Sequence, residues 1–67
     1  MKGIVKKHLK EKGFGFIAGD NGTEYFFHFT GAPKGEFDKM VEGTLVDFEP
    51  GESKGGKGPR AEEVRRR

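Results

Sequence analysis

The chain has 67 residues, of which 31% are hydrophobic and 36% charged, and its formal net charge is +2. Ordering so short a chain costs on the order of 100 kcal/mol at about 1.5 kcal/mol per residue, so it can support only one domain with a small core. The absence of cysteine excludes disulfides and zinc–thiolate sites. No apolar run approaches the roughly 20 residues of a membrane span, so we expect a cytoplasmic protein without membrane contact.

Charge is segregated along the chain. Residues 1–12 carry five lysines and one glutamate, residues 13–49 carry two lysines and seven acidic residues, and residues 50–67 carry six basic residues and three glutamates. Basic segments on both sides of an acidic middle are typical of polyanion-binding proteins, although ordinary solvated surfaces also show such clustering.

Short β-branched and aromatic runs predict an all-β fold, because no segment of about 10 residues carries a helical apolar stripe. Strands are predicted at residues 3–9, 14–19, 24–29, 44–50 and 60–65. Between the second and third strands, Asp20-Asn21-Gly22 predicts a hairpin turn, since Asn-Gly tolerates the positive φ angles of tight turns. The connection over residues 30–43 is expected to hold a short helical turn near Phe37 to Val41, and residues 51–58 a glycine-rich loop.

Five of the seven phenylalanines lie in the runs Lys12-Gly13-Phe14-Gly15-Phe16-Ile17 and Tyr25-Phe26-Phe27-His28-Phe29-Thr30. Alternate side chains of a strand point to opposite faces, and the face that carries Lys12 is predicted to be exposed because buried lysines are rare and costly. The exposed face then consists of Phe14, Phe16, Phe26 and His28. The opposite face, which includes Ile17, Tyr25 and Phe27, is predicted to be buried.

Exposed rings beside a lysine-rich segment have a direct physical use. Bases stack on aromatic rings at roughly 1 to 3 kcal/mol each, and lysines contact the phosphates of a single strand. The alternative is a protein-interaction module, because an exposed apolar patch also marks protein-binding surfaces.

The KGFGFI and YFFHFT runs resemble the two ribonucleoprotein motifs of bacterial cold-shock proteins. The similarity extends from Gly3-Ile4-Val5-Lys6 through residues 42–48 to Lys57-Gly58-Pro59 and Val64, so residues 1–67 are expected to form a single cold-shock domain. The resemblance implies an all-β fold, a small five-stranded antiparallel barrel of the oligonucleotide-binding type. It also implies an RNA chaperone that binds single-stranded RNA and DNA. We expect a monomer with no enzymatic activity, cofactor or small-molecule substrate.

The resemblance further implies which residues bind. The predicted stacking residues are Phe14, Phe16, Phe26, His28, Phe29 and Phe37. The predicted phosphate contacts are Lys6 and Lys12, and the far end of the groove is predicted to contain Lys57, Gly58, Pro59 and Arg60. The predicted core is Val5, Ile17, Tyr25, Phe27, Val46, Phe48, Ala61 and Val64. Strand parity alone places Phe29 with the core, but we expect it at the ligand surface because the strand should end there.

Two features depart from the family pattern. Lys7-His8 stand where the family usually has Trp-Phe, and we expect both to contact the nucleic acid, Lys7 through its charge and His8 as a weak stacking ring. This exchange predicts an unusually steep salt dependence of binding, by about 0.7 in log-log slope for each added phosphate contact. Tyr25 and Phe27 occupy core positions usually held by valine, so the barrel must repack around them.

Other signals are weaker. His8 and His28 are the only histidines, and with scattered acids they do not predict a metal site. Residues 51–57 match the GxxxxGK spacing of a phosphate loop, but Gly58 stands where a serine or threonine must reach magnesium. Arg65 to Arg67 are expected to form a solvated tail that adds a modest electrostatic contribution to binding.

Overall fold

The protein was analysed as a computed structural model that describes residues 1–52 and 59–67. The strands are β1 (Lys2–Leu9), β2 (Phe14–Gly19), β3 (Glu24–His28), β4 (Leu45–Glu52) and β5 (Pro59–Arg66). Two short 3-10 turns, Phe29–Gly31 and Phe37–Lys39, lie in the connection between β3 and β4. The five predicted strands and the turn near Phe37 are confirmed. The part of the predicted loop at residues 53–58 lies outside the described residues.

The sheet closes into a barrel with the strand order β1-β2-β3-β5-β4. Four of the strand contacts are antiparallel, and the contact that joins β3 to β5 is parallel, with Phe26 opposite Arg60. The predicted five-stranded barrel of the oligonucleotide-binding type is therefore confirmed, with one parallel contact in an otherwise antiparallel sheet. No helix in the described part of the chain is long and apolar enough to cross a membrane.

The β2–β3 hairpin forms at the predicted Asn-Gly turn. Gly22 has a φ of +85°, and its N–H donates to the Gly19 carbonyl at 3.0 Å. The Asn21 side chain accepts from the Thr23 N–H at 3.0 Å and donates to the Tyr25 hydroxyl at 3.0 Å. Asn21 thus stabilises the turn and also satisfies the polar atom of a buried ring.

The core contains all eight residues predicted for it, together with Phe37 and Met40. Its buried side chains are Val5, Ile17, Tyr25, Phe27, Phe37, Met40, Val46, Phe48, Ala61 and Val64. Phe37 and Met40 come from the 3-10 turn and the residue after it, so the β3–β4 connection completes a core that the sheet alone does not fill.

Glycines on β2 make room for the two large rings that replace the usual valines. Gly15 is directly opposite Phe27, and a Cβ atom at Gly15 would lie 2.7 Å from Phe27 Cε1. A Cβ atom at Gly19 would lie 2.8 Å from Tyr25 Cε1. Tyr25 is only 5% exposed and Phe27 is fully buried, so both rings lie inside the barrel against the bare backbone of these glycines.

A β-bulge in β1 changes which side chains share a face. Val5 pairs with Ile17 and Lys7 pairs with Phe16, so Lys6 is the extra residue. Val5 therefore lies in the core, and Lys7 lies on the same outer face as Phe16. His8 pairs with Gly15, on the inner side of the sheet.

The three arginines that end the chain do not form the solvated tail expected from the sequence. Arg65 and Arg66 belong to β5, and the Arg67 N–H donates to the Leu45 carbonyl at 2.9 Å. Arg66 Nη2 lies 3.1 Å from Glu36 Oε2, and Arg67 Nε lies 3.6 Å from Asp47 Oδ1. The Arg67 guanidinium thus faces a carboxylate of the neighbouring β4, and that of Arg66 faces a carboxylate of the β3–β4 connection.

Candidate nucleic-acid interface

Four half-buried rings form a continuous surface on β2 and β3, which we call the aromatic patch: Phe14, Phe16, Phe26 and His28. Phe16 pairs with Phe26 and Phe14 pairs with His28 across the two strands. The Phe14 ring centroid lies 5.4 Å from that of Phe26 and 6.2 Å from that of Phe16, and the Phe16 and Phe26 centroids are 6.0 Å apart. Strand parity therefore predicted correctly which rings share the outer face.

The ring of His28 is held in place by Thr30. The His28 Nδ1 atom accepts a hydrogen bond from the Thr30 N–H at 3.3 Å and lies 2.9 Å from the Thr30 hydroxyl. These contacts cap the 3-10 turn Phe29–Gly31 and orient the imidazole plane. A ring oriented in advance loses less conformational entropy when a base stacks on it.

Phe29 extends the aromatic surface beyond the end of β3. The strand ends at His28, so Phe29 no longer follows strand alternation. It is 52% exposed, and its ring centroid lies 4.4 Å from that of His28. The expectation that Phe29 lies at the surface rather than in the core is confirmed.

The predicted lysines differ in their partners. Lys6 Nζ lies 3.1 Å from Glu24 Oε2, so a phosphate would compete with this exposed carboxylate. Lys7, opposite Phe16, and Lys12, beside Gly13, have no carboxylate oxygen within 4.0 Å among the described residues. Lys7 lines a groove of about 390 Å³ that also contains Phe16 and Glu24.

His8 does not join the aromatic patch. Its Nε2 lies 2.9 Å from the Phe37 carbonyl oxygen, to which it donates, and its ring centroid lies 4.7 Å from that of Phe37. The bulge at Lys6 causes this placement, because it moves His8 to the inner side of the sheet opposite Gly15. His8 is nevertheless only partly buried and lines the groove that contains Lys7 and Phe16, so its contact with nucleic acid stays a prediction.

Phe37 is also not the exposed ring that the resemblance implied. It is 6% exposed, and its ring centroid lies 5.5 Å from that of Phe27 and 6.5 Å from that of Phe29. The 3-10 turn directs this ring into the core, where it covers Phe27. Of these two rings, only that of Phe29 is exposed at this end of the surface.

Arg60, which the resemblance implied at the far end of the groove, pairs with Phe26 on the neighbouring strand. Its Nε atom is buried without a hydrogen-bond acceptor in residues 1–52 and 59–67, and Glu62 Oε1 lies 3.9 Å away. Pro59 is exposed at the start of β5, whereas Lys57 and Gly58 lie outside the described residues. The contacts of Arg60 and Lys57 with nucleic acid stay predictions.

A groove of about 650 Å³ lies away from the aromatic patch. It is lined by residues of both charges, including Arg60, Arg65, Glu49, Glu62 and Glu63. Base stacking needs a flat accessible ring rather than a deep cavity, so groove size does not locate the interface. Within the described residues, no group of three or more His, Cys, Asp or Glu side chains could hold a metal ion.

Sequence reasoning gave no role to Lys34 and none to Glu24. Lys34 lines a groove next to Phe29, and Glu24 pairs with Lys6 across β1, β2 and β3. No cross-strand pairing rule marks Glu24, because it lies on β3 and reaches Lys6 on β1 across the intervening β2. No local pattern marks Lys34, which lies in an irregular connection.

A closed five-stranded barrel with exposed rings on its second and third strands defines an oligonucleotide-binding type of domain. The family model described as "'Cold-shock' DNA-binding domain" matches residues 1–67, and the chain belongs to this cold-shock domain family. The members of the family are nucleic-acid-binding proteins.

Relatives of similar length support this assignment. The chain is 40% identical over 62 residues to cold shock protein 2 of Lactiplantibacillus plantarum, with 92% of this chain and 91% of the relative covered. It is 40% identical over 65 residues to a cold shock-like protein of Thermotoga maritima, with 97% and 96% covered. It is 44% identical over 62 residues to a cold shock-like protein of Listeria monocytogenes, with 92% and 91% covered.

Proposed function

We propose that this protein binds single-stranded RNA and DNA without catalysis. Unpaired bases stack on the aromatic patch and on Phe29, while Lys7 and Lys12 contact the phosphates. The observation that carries the proposal is a set of half-exposed rings with lysines at their edge. The centroids of Phe14, Phe16 and Phe26 lie 5.4 to 6.2 Å apart, Phe14 pairs with His28, and the centroids of His28 and Phe29 lie 4.4 Å apart. Each stacked base contributes roughly 1 to 3 kcal/mol.

The proposed cellular role is that of an RNA chaperone. Because only unpaired bases expose their faces to the rings, the protein binds the open form of an RNA and not its duplex form. Binding one of two forms shifts their equilibrium by mass action, so the protein opens structure without consuming energy. Affinity for each site needs to stay modest, since ribosomes and polymerases must displace the protein.

We expect the protein to act as a cytoplasmic monomer with no cofactor and no small-molecule substrate. In the described residues each strand of the closed barrel has a neighbour on both sides, which disfavours the pairing of strands between copies. The exposed lysines beside the rings favour a polyanion over the alternative, a protein partner for an adhesive apolar patch.

The proposal is tested by titrating labelled single-stranded and duplex oligonucleotides at two salt concentrations. Anisotropy of the labelled strand is the readout, because the chain has no tryptophan. Single strands should bind more tightly than duplex. Phe14→Ala and Phe26→Ala should each lose roughly 1 to 3 kcal/mol of binding free energy, the value of one stacked base.

The matched control is Val41→Ala, which truncates an apolar side chain that is 53% exposed and lies outside the patch. This variant should bind like the wild type. Equal affinity for single strands and duplex, or unchanged affinity in both phenylalanine variants, would contradict the proposal and favour the protein-interaction alternative.

A further inference from the structure

A groove of about 420 Å³ continues the aromatic surface past Phe29. Two chain segments line it, the turn between β1 and β2 and the connection that precedes and includes the second 3-10 turn. Its residues are Lys10, Glu11, Lys12, Gly13, Phe29, Lys34, Gly35, Phe37 and Asp38.

Phe29 is fixed against the first of these segments. Its N–H donates to the Gly13 carbonyl at 2.9 Å, and a Cβ atom at Gly13 would lie 2.8 Å from Phe29 Cδ1. Gly13 also has a φ of +77°, which favours glycine in this turn. The exposed part of the Phe29 ring is thereby presented in the groove beside the lysines of the turn.

The basic residues of the groove differ from four of the eight other basic residues in the described part of the chain. Lys6, Arg60, Arg66 and Arg67 each have a carboxylate within 4.0 Å. In the part of the chain that the structure describes, Lys10, Lys12 and Lys34 have none, although Glu11 and Asp38 line the same groove. The lysines of the groove are exposed and can turn their ammonium groups towards an incoming anion.

The burial of Phe37 gives this end of the surface a different chemistry from the patch. With Phe37 only 6% exposed, the groove offers one accessible ring, that of Phe29, and lysines from two segments. A nucleotide here can therefore gain more from its phosphate than from a second stacked ring.

We propose that Lys10 and Lys34 bind the backbone phosphate of the nucleotide that follows the one stacked on Phe29. Their long side chains come from the two segments that line the groove and meet at this phosphate, so the binding footprint extends by about one nucleotide beyond the aromatic surface. The inference rests on the proposed function and adds two residues to it.

The test compares oligothymidines lengthened one nucleotide at a time on the wild type and on Lys10→Gln/Lys34→Gln. Wild-type affinity should rise in a further step once the strand is long enough to pass Phe29, and this step should be absent in the double variant. For the longest strand, the slope of log affinity against log salt concentration should become shallower in the double variant by about 0.7, the value of the one phosphate contact that is lost.

The control is Lys2→Gln/Lys39→Gln, which removes the same charge from two exposed lysines outside the groove. If it shows the same loss as the groove variant, general electrostatics explain the effect and the inference is overturned. The inference is also overturned if affinity depends on strand length in the same way in the groove variant and in the wild type. In that outcome short strands still bind through Phe14, so the proposed function stands. If the wild type binds no oligothymidine at all, both proposals fail.

Discussion

At the scale of single residues, Lys7 sets how this surface differs from others of its family. The bulge at Lys6 places Lys7 on the outer face, opposite Phe16, and no carboxylate lies within 4.0 Å of it among the described residues. A charge therefore stands where the family usually has a tryptophan ring. The ring of the neighbouring His8 is turned towards Phe37, 4.7 Å from its centroid, so it does not take the place of that ring opposite Phe16.

Replacing Lys7 separates the contributions of charge and stacking. Lys7→Gln should weaken binding and lower the salt slope by about 0.7, the value of one single-strand phosphate contact. Lys7→Trp should lower the slope equally but bind more tightly at high salt, by the roughly 1 to 3 kcal/mol of one stacked base. Titrations at several salt concentrations measure both quantities. Slopes equal to that of the wild type would show that Lys7 contacts no phosphate.

At the scale of elements, β2 serves both faces of the sheet. Phe14 and Phe16 supply the outer rings, while Gly15 and Gly19 give space to Phe27 and Tyr25 inside the barrel. The alternation of glycine and phenylalanine in β2 thus has two roles: the glycines make room for core rings, and the phenylalanines form part of the aromatic patch.

We predict that Gly15→Ala destabilises the barrel without removing any ring from the patch. The new Cβ would meet Phe27 Cε1 and the Lys7 carbonyl, and overpacking of this kind costs about 1 to 3 kcal/mol. Thermal melting followed by circular dichroism should show a Tm lower by roughly 4 to 8 °C for each kcal/mol.

Gly31→Ala is the matched control, because its Cβ would meet the Ala61 carbonyl at an ordinary 3.5 Å. It should melt close to the wild type. If Gly15→Ala also melts like the wild type, the prediction is contradicted. The strand would then adjust to the added methyl group, and the burial of the Phe27 ring would not depend on tight packing against Gly15.

Regular elements explain what could be predicted from the sequence, and irregular ones explain what could not. Strand parity located Phe14, Phe16, Phe26 and His28 because β2 and β3 pair without interruption. It could not place His8, because the bulge at Lys6 leaves no mark in the periodicity of β1. Phe37 lies in a connection without a repeating pattern, and its burial depends on contacts with Phe27 and His8 that are distant in sequence.

At the scale of the whole molecule, stability and binding are closely linked. The core is small, and several large rings that could enlarge it are only half-buried on the outer face. A short domain that leaves apolar rings in water has little stability to spare. A ligand that covers these rings should therefore stabilise the folded state measurably.

Saturating single-stranded oligonucleotide should raise the melting temperature. At a free concentration of about 100 times Kd, binding stabilises the fold by about 2.7 kcal/mol, which corresponds to a rise of roughly 10 °C or more in so small a domain. Calorimetry with and without the strand measures the shift. A duplex at the same phosphate concentration should have a much smaller effect, and an equal rise with both would mean that strandedness is not recognised.

The bulge in β1 also determines where this strand can change its length. A chain that lost one of the two adjacent lysines, Lys6 or Lys7, would pair Val5 with Ile17 and the remaining lysine with Phe16 in a regular ladder. Every side chain would keep its present face. Loss of Ile4 would instead move Gly3 outwards and turn Lys2 towards the space beside Ile17 and Phe48 that only a glycine fits. The bulge is thus the position in β1 at which the loss of one residue leaves the inward-facing side chains inside the barrel and the outward-facing ones on its surface.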